Sequence, residues 1–432
     1  MMYRLCMILN HAIIFLCCYP SCLSFTPRKR EVSQFPPIPD FSKWGLSSIS
    51  STGSTDTSSS TNHGGCDTTL IKAPPRTGFA QKLLDFALTT PLWKYVLVPQ
   101  ARSTMAKTAE ANGIPWKACK DWLQSEAHRR IIPESEYIVP SYYRQAFHAY
   151  DSGNLSWEAA LEVEIVSCSV GARNFPQYGA LGEEAFRGAF ESALQTGGAH
   201  VPRRGAILDL GCGTGMSTRR LAQQYPDAKV IHGMDLSPYF VEIGQQLLQL
   251  QPKSYLKGGR WVSTISPDAR IHYMVGDAAN TKLEANAYDV VNIQFVLHEV
   301  PANVAIEIVD EAYRILKPNG QLWIGEMDFE APAYAAQRAN ALLFSLIRST
   351  EPYLDDYAES ISSLFSYIST KFATTTVVPA TGRHYALVAK KGSHHDIPTL
   401  TSFGILTDLR FHPDGSYRVE DTHLKVWESR QS

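Results

Sequence analysis

GAILDLGCGTG, residues 205–215, reads as a strand that runs into a glycine loop. Ala206, Ile207, Leu208 and Leu210 form the short apolar run of a strand buried on both faces, and Met216 to Gln224 supply helix formers directly after Gly215. Glycines at 211, 213 and 215 allow a tight turn and let a ligand approach with no side chain in the way. The spacing is GxGxG, one residue short of the dinucleotide pattern GxGxxG. Asp209 separates the two further, because a carboxylate before the loop repels a pyrophosphate but suits a ligand carrying an ammonium and a sulfonium.

Outward from the loop, the same design repeats. A second apolar strand, Lys229 to Met234, ends at Asp235, about 20 residues on, where an acid accepts hydrogen bonds from ribose hydroxyls. A third, Ile271 to Val275, leads into Gly276-Asp277-Ala278, where a carboxylate can accept from an adenine amino group. S-adenosyl-L-methionine is a ligand with all of these groups. The cofactor-binding set expected from sequence is Asp209, Gly211, Cys212, Gly213, Gly215, Asp235, Leu236, Asp277, Ala278 and Gln294. Each has a plainer reading alone: the glycines as a tight turn, Asp235 as a helix N-cap, Asp277 as a turn residue, Cys212 as a small packing residue.

Five pieces in order, DLGCGTG, MDLS (234–237), GDA (276–278), YDVVNIQFVLHEVP (288–301) and LKPNGQLWIGEMD (316–328), resemble the class I S-adenosylmethionine-dependent methyltransferases. The resemblance implies an α/β, Rossmann-like, doubly wound, mostly parallel seven-stranded sheet, with ligands at its carboxyl edge. Further strands are expected at Tyr288–Gln294, Gln321–Glu326, Thr374–Val378 and Tyr385–Ala389, and a helix at Val304–Leu316 ended by Lys317-Pro318-Asn319-Gly320. The end of the fourth strand, Gln294 to Glu299, should then face the sulfonium. Methyl transfer needs alignment and exclusion of water, and for some acceptors a base. His298 is the candidate catalytic base, and equally a capping or packing histidine. Neither an Asp-Pro-Pro-Tyr nor an Asn-Pro-Pro-Tyr motif occurs, nor GxxxxGKS, and no metal-ligand spacing is present, so no metal is expected.

Residues 1–24 have the shape of a signal peptide and 25–65, with Arg28-Lys29-Arg30 and a Ser/Thr-rich tract, that of a disordered transit-like leader. Phe25 after the expected cut resembles the bipartite plastid leader of algae with complex plastids; the alternatives are secretion and a membrane anchor. Cys66, Cys119, Cys168 and Cys212, which follow the leader, have neither zinc spacing nor the density of a disulfide scaffold. A net charge of -2 and the absence of a basic block argue against nucleic acid as a partner, and no spanning helix is expected after the leader.

Residues 66–200 read as a helical N-terminal cap. Thr90-Pro91 marks a helix start, Ala101–Ala111 a helix closed by Gly113, Pro115 another with Trp116, Cys119 and Leu123 on one face, and Ser156 a third with Trp157, Leu161, Ile165 and Cys168. Glu158 and Glu162 lie beside that stripe, as solvated acids or partners of Arg173, or else facing a substrate cavity; Tyr142, Tyr143, Phe147, His148 and Tyr150 are either site residues or packing against the sheet. ARSTMAKTAEANGIPW (101–116), FHAYDSGNLSWEAALEVE (147–164), GARNFP (171–176) and STEPYLDDY (349–357) resemble a plant and algal plastid-directed methyltransferase-like group with no settled substrate.

The methyltransferase domain is expected at 201–392, with Ala331–Ile368 as part of a lid in which Thr350 caps a helix starting at Glu351-Pro352 and Tyr353, Phe365 and Tyr367 either line the acceptor site or are ordinary core. Residues 393–432 read as a small C-terminal β-hairpin extension around Pro413-Asp414-Gly415. The functional expectation is methyl transfer in the plastid to a small, lipophilic or aromatic molecule. A protein acceptor, and a cofactor-binding factor that no longer turns over, remain as alternatives.

Overall fold

A computed structural model of the chain describes residues 98–133, 137–148, 150–249, 268–329, 331, 334 and 350–393. The leader, the Thr90-Pro91 helix start, nearly all of Ala331–Ile347 and all but one residue of the C-terminal extension lie outside them. Two helices come first, α1 (Val98–Ala111) and α2 (Trp116–Glu126), then α3 (Trp157–Asn174) and α4 (Gly182–Thr196). Strand β1 (Ala206–Leu210), α5 (Met216–Gln224), β2 (Val230–Asp235), α6 (Pro238–Leu247), β3 (Ile271–Val275) and β4 (Tyr288–Gln294) then alternate. The order closes with α7 (Ala302–Ile315), β5 (Leu316–Met327), α8 (Leu354–Lys371), β6 (Thr374–Pro379) and β7 (His384–Lys390).

The seven strands form one sheet in the order β3-β2-β1-β4-β5-β7-β6. Pairings from β3 across to β5 are parallel, and β7 runs antiparallel to both β5 and β6. Strand order reverses between β1 and β4, which makes their carboxyl ends the switch point where ligands bind in open α/β sheets.

Alternation along the strands sends successive side chains to opposite faces. Leu208, Leu210, Val291, Ile293, Leu322 and Ile324 pack under α7 and α8, which bury Ile308, Ala312, Ile361, Leu364 and Ile368 against them. Ile207, Ile231, Val290 and Trp323 pack on the other face against Phe186, Ala189, Phe190 and Ala193 of α4 and Leu221 of α5. Helix α4 thus packs on the sheet as well as on α3 of the cap. Its glycine and alanine face, Gly188, Ala189 and Ala193, gave no signal for choosing between the two units.

The cap proper has its own core of Trp116, Cys119, Trp122, Leu123, Leu161, Ile165 and Cys168, which continues into Phe240, Ile243 and Leu247 of α6. Each local signal acts as its chemistry requires. Ser156 accepts a hydrogen bond from the Ala159 N–H at 3.2 Å to cap α3, and Gly113 takes the left-handed φ of 82° that ends the α1 turn. Glu162 is buried and bonded to Arg102, Lys120 and Tyr150, which replaces the expected pairing with Arg173; Glu158 lies outside against Arg102 at 2.8 Å. Four polar groups thus tie α1, α2 and α3 together at one point.

Candidate active site

The glycine loop lies at the carboxyl end of β1, and its geometry admits little but glycine. Gly211, Gly213 and Gly215 have φ of 69°, 57° and 92°, in the left-handed region. A Cβ on Gly215 would fall 1.9 Å from the buried Tyr273 hydroxyl, whereas around Gly213 nothing lies within 4 Å. One glycine makes room for the protein, and the other opens onto empty space. The N–H groups of Gly211 and Cys212 donate to the Met234 carbonyl at 2.8 and 3.1 Å, which fixes the loop to β2.

Two of the three expected acids converge on this loop. Asp235 Oδ2 accepts from the Gly213 N–H and Oδ1 from the Ser237 N–H, each at 2.8 Å, so one carboxylate joins the loop to the start of α6. Burial pushes its pKa up to about 6 against those two donors. Asp209 is buried: Ser217 and Thr218 hydroxyls donate to Oδ2 at 2.6 and 2.7 Å, and the Asn292 amide to Oδ1 at 2.7 Å. Its charge is therefore held by α5 and β4 beneath the loop. Leu236 and Ala278 are half-buried at the same edge, Cys212 is buried with its thiol pushed up by burial, and Gln294 accepts from Arg187 at 3.3 Å.

The third acid, Asp277, accepts from the Ala279 N–H at 2.9 Å, and its carboxylate adds to the burial that pushes the Tyr142 pKa up. Tyr142 and Tyr143 belong to the short turn Ser141–Tyr143 of the cap, and burial together with the carboxylates of Asp235 and Glu299 pushes the Tyr143 pKa up. Two members of the aromatic group, Tyr142 and Tyr143, thus lie near Asp277 and Asp235 at the carboxyl edge of the sheet. Further back, Glu164 of α3 accepts from the Thr214 hydroxyl at 2.8 Å and from Arg219 at 2.6 Å, and Arg219 also donates to the Thr214 carbonyl at 2.9 Å. All three are buried, so the cap clamps the loop by an ion pair shielded from water.

On the other side of the switch point, β4 runs into Phe295, held at a φ of 59°, and then the turn Leu297–Glu299. Both oxygens of Glu326 lie 2.9 Å from His298 Nδ1, and Glu326 also accepts from the N–H groups of Leu297 at 2.9 Å and Met327 at 3.0 Å. Burial alone would lower the His298 pKa, but the carboxylates of Glu326, Glu351 and Glu299 outweigh it and push it up to about 10. His298 Nδ1 accordingly donates to the Glu326 carboxylate, the arrangement of a packing histidine as well as of one with Nε2 turned outward. Burial pushes Glu299 up to about 8 and raises Glu351 as well.

Aromatic rings close this side. Phe295 stacks on Phe186 at 5.6 Å and meets Phe190 and His384 edge-on at 5.3 and 5.6 Å, while Phe329 stacks on Tyr334 at 4.8 Å. The expected lid lining is different. Phe365 is core, edge-on to Tyr385 at 4.9 Å, and Tyr367 bonds Asp310, whereas Tyr353 donates to the Tyr142 carbonyl at 2.9 Å. Helix α8 begins at Leu354 with Tyr353 at its N-cap and no side-chain cap, so Thr350 does not have the capping role its sequence position implied. Its carbonyl instead accepts from the His148 N–H at 2.9 Å.

Among the described residues no group of His, Cys, Asp and Glu is arranged to hold a metal ion, and no helix is long and apolar enough to cross a membrane. A cleft of about 590 Å³, lined by His200, Asp289 and Lys390 among others, opens at the opposite, amino edge of the sheet, away from all of these groups.

Residues 208–324, which carry this edge of the sheet, match the model of a methyltransferase domain, and S-adenosyl-L-methionine is the cofactor that match indicates. Among curated proteins, a demethylmenaquinone methyltransferase of Lactococcus lactis is 31% identical over 118 residues, 27% of this chain and 40% of its own length. A mitochondrial 2-methoxy-6-polyprenyl-1,4-benzoquinol methylase of Caenorhabditis elegans is 28% identical over 130 residues, 30% of this chain and 40% of its own. The chain thus spans about two fifths of the length of these relatives. A solved structure of a SAM-dependent methyltransferase from Methanosarcina mazei is 16% identical with a TM-score of 0.32, covering 44% of this chain and 94% of that one.

Proposed function

We propose that the chain transfers the methyl of S-adenosyl-L-methionine to a small, lipophilic or aromatic acceptor. The observation that carries the cofactor half is the open space over Gly213, bounded by a loop whose N–H is held by Asp235. A cofactor with an amine, a ribose and an adenine finds two acids, Asp235 and Asp277, at the edge on which this opening lies, so the fit is chemical as well as steric. Asp235 would hold the ribose hydroxyls and Asp277 the adenine amine; Asp209 would keep the loop in register from below. When bound, the cofactor supplies a methyl carbon already activated by a sulfonium, so the protein has to align the acceptor and exclude water.

The acceptor half is supported by the rings of Phe186, Phe190, Phe295, Phe329 and Tyr334 beside the polar turn at His298. The matched relatives, which by name methylate quinone-type compounds, favour the same class. Incubating the full chain with labelled cofactor and a panel of quinols, phenols and fatty acids tests this. Label in a ring compound is expected; label only in protein would favour the alternative protein acceptor. Plastid delivery is proposed on the composition of residues 1–65 alone, and a fluorescent fusion that is secreted would overturn it.

A further inference from the structure

His298 is more than nine-tenths buried, yet only one of its ring nitrogens is used. Glu326 holds Nδ1, which turns Nε2 outward. Nε2 faces Glu299 Oε1 at 3.9 Å and Glu351 Oε2 at 4.0 Å, both too far for a hydrogen bond. One oxygen atom about 2.8 Å from Nε2 and from Glu351 Oε2 would bridge that gap. Glu351 Oε2 is itself buried without a hydrogen-bond partner, a state that costs about 1–3 kcal/mol or more for a charged group unless something arrives to fill it.

The position of Glu351 is set by the protein and not by chance. The His148 N–H fixes the Thr350 carbonyl at 2.9 Å, and the Leu354 N–H donates to the Glu351 carbonyl at 3.3 Å. Polar groups converge on the gap from every side: Glu326 from β5, Glu299 from the turn, the His148 imidazole from the cap at 3.5 Å from Glu299 and kept neutral by burial, which lowers its pKa to about 3, and Arg173 of α3 acting on Glu351. The Tyr357 ring of α8 lies 6.3 Å from the imidazole and closes the apolar side.

We propose that the acceptor presents an ionisable hydroxyl, as a phenol or quinol does, that its oxygen binds between His298 Nε2 and Glu351 Oε2, and that Glu351 takes its proton. This rests on the methyl-transfer reading above and narrows it. The O–H bond breaks with its electron pair left on the acceptor oxygen, and the proton passes to Glu351. His298 Nε2–H donates to the resulting oxyanion. That pair then forms the bond from the acceptor oxygen to the methyl carbon, while the electrons of the methyl–sulfur bond stay on sulfur. Glu351 afterwards releases the proton to solvent.

The test uses the full chain with 4-nitrophenol, whose phenolate absorbs at longer wavelength than its phenol, so ionisation is read without turnover. Below its own pKa in solution, the bound probe is expected to show the phenolate spectrum with wild type, the phenol spectrum with Glu351→Gln, and a partial phenolate signal with Glu351→Asp. Binding of S-adenosylhomocysteine should be unchanged in both variants, and turnover of a reactive phenol should fall about 10²–10⁴-fold in Glu351→Gln, recovering at a pH where the free phenol is already ionised. A phenolate spectrum with Glu351→Gln equal to wild type overturns the proposal. So does a wild-type protein that binds S-adenosylhomocysteine but takes up the probe only as phenol, or not at all; that result leaves the methyl-transfer reading intact. Failure to bind S-adenosylhomocysteine defeats both. Should Glu351→Gln fail to fold, the wild-type spectrum alone decides.

Discussion

Replacing Gly213 and Gly215 in turn by alanine separates ligand contact from loop packing. Both residues have left-handed φ, which costs an L-residue about 1–2 kcal/mol. At Gly215 the new Cβ meets Tyr273 at 1.9 Å from its hydroxyl and 2.3 Å from Cζ, and that buried ring, lodged between α5 and β2, has no free space to enter. Overpacking of this kind adds about 1–3 kcal/mol, so Gly215→Ala should lose about 2–5 kcal/mol of stability. At Gly213 the methyl enters empty space, and the loss should stay at about 1–2 kcal/mol. Ligand affinity should rank the other way, because that empty space is where the cofactor approaches. Urea denaturation of both variants, with calorimetric titration of S-adenosylhomocysteine, reads the two quantities separately. Gly213→Ala should weaken binding by about tenfold or more, about 1.4 kcal/mol, at a small cost in stability. If Gly213→Ala binds like wild type, the loop does not cradle the ligand and the reasoning fails.

Other outcomes follow from the buried groups. Arg219→Met leaves the Glu164 carboxylate buried and uncompensated and should cost about 3–5 kcal/mol in urea, with the double variant Glu164→Met/Arg219→Met recovering most of it. His298 has its folded pKa raised from 6.5 to about 10, so the stability it contributes is complete below pH 6.5 and is lost as pH rises through about 10. The urea midpoint should fall across that window, and His298→Phe should flatten the slope. Cys119, Cys168 and Cys212 are buried, and burial pushes the thiols of Cys168 and Cys212 up; mass-mapped thiol labelling should reach all three only on unfolding.

Strand and helix limits in the sheet domain could be read closely because local rules and tertiary context agree there. Helix Met216–Gln224 and strands Ile271–Val275 and Tyr288–Gln294 have the limits their apolar runs and flanking glycines imply. The acids at the strand ends could be read for the same reason, since strand polarity alone brings Asp235 and Asp277 to one edge. Long-range partners could not. Glu326 stands in an apolar strand, LWIGEM, and an ionisable residue at a buried strand position was the available sign of a partner, but nothing local named His298. Tyr142 and Tyr143 lie near Asp277 and Asp235 only because the cap folds over α6, and no periodicity in residues 141–150 encodes that. Glu351 was read as the first residue of a helix, whereas the Thr350 carbonyl just before it is held by the His148 N–H, from a segment about two hundred residues earlier.

The most direct test of the account is calorimetric titration of S-adenosyl-L-methionine into the full chain, with Asp235→Ala as control. One site of micromolar affinity, lost in the folded Asp235→Ala variant and unaffected by oxidised nicotinamide dinucleotide, is the predicted result. A folded wild-type protein that takes up no S-adenosyl-L-methionine, or a variant that binds it as tightly as wild type, would contradict it.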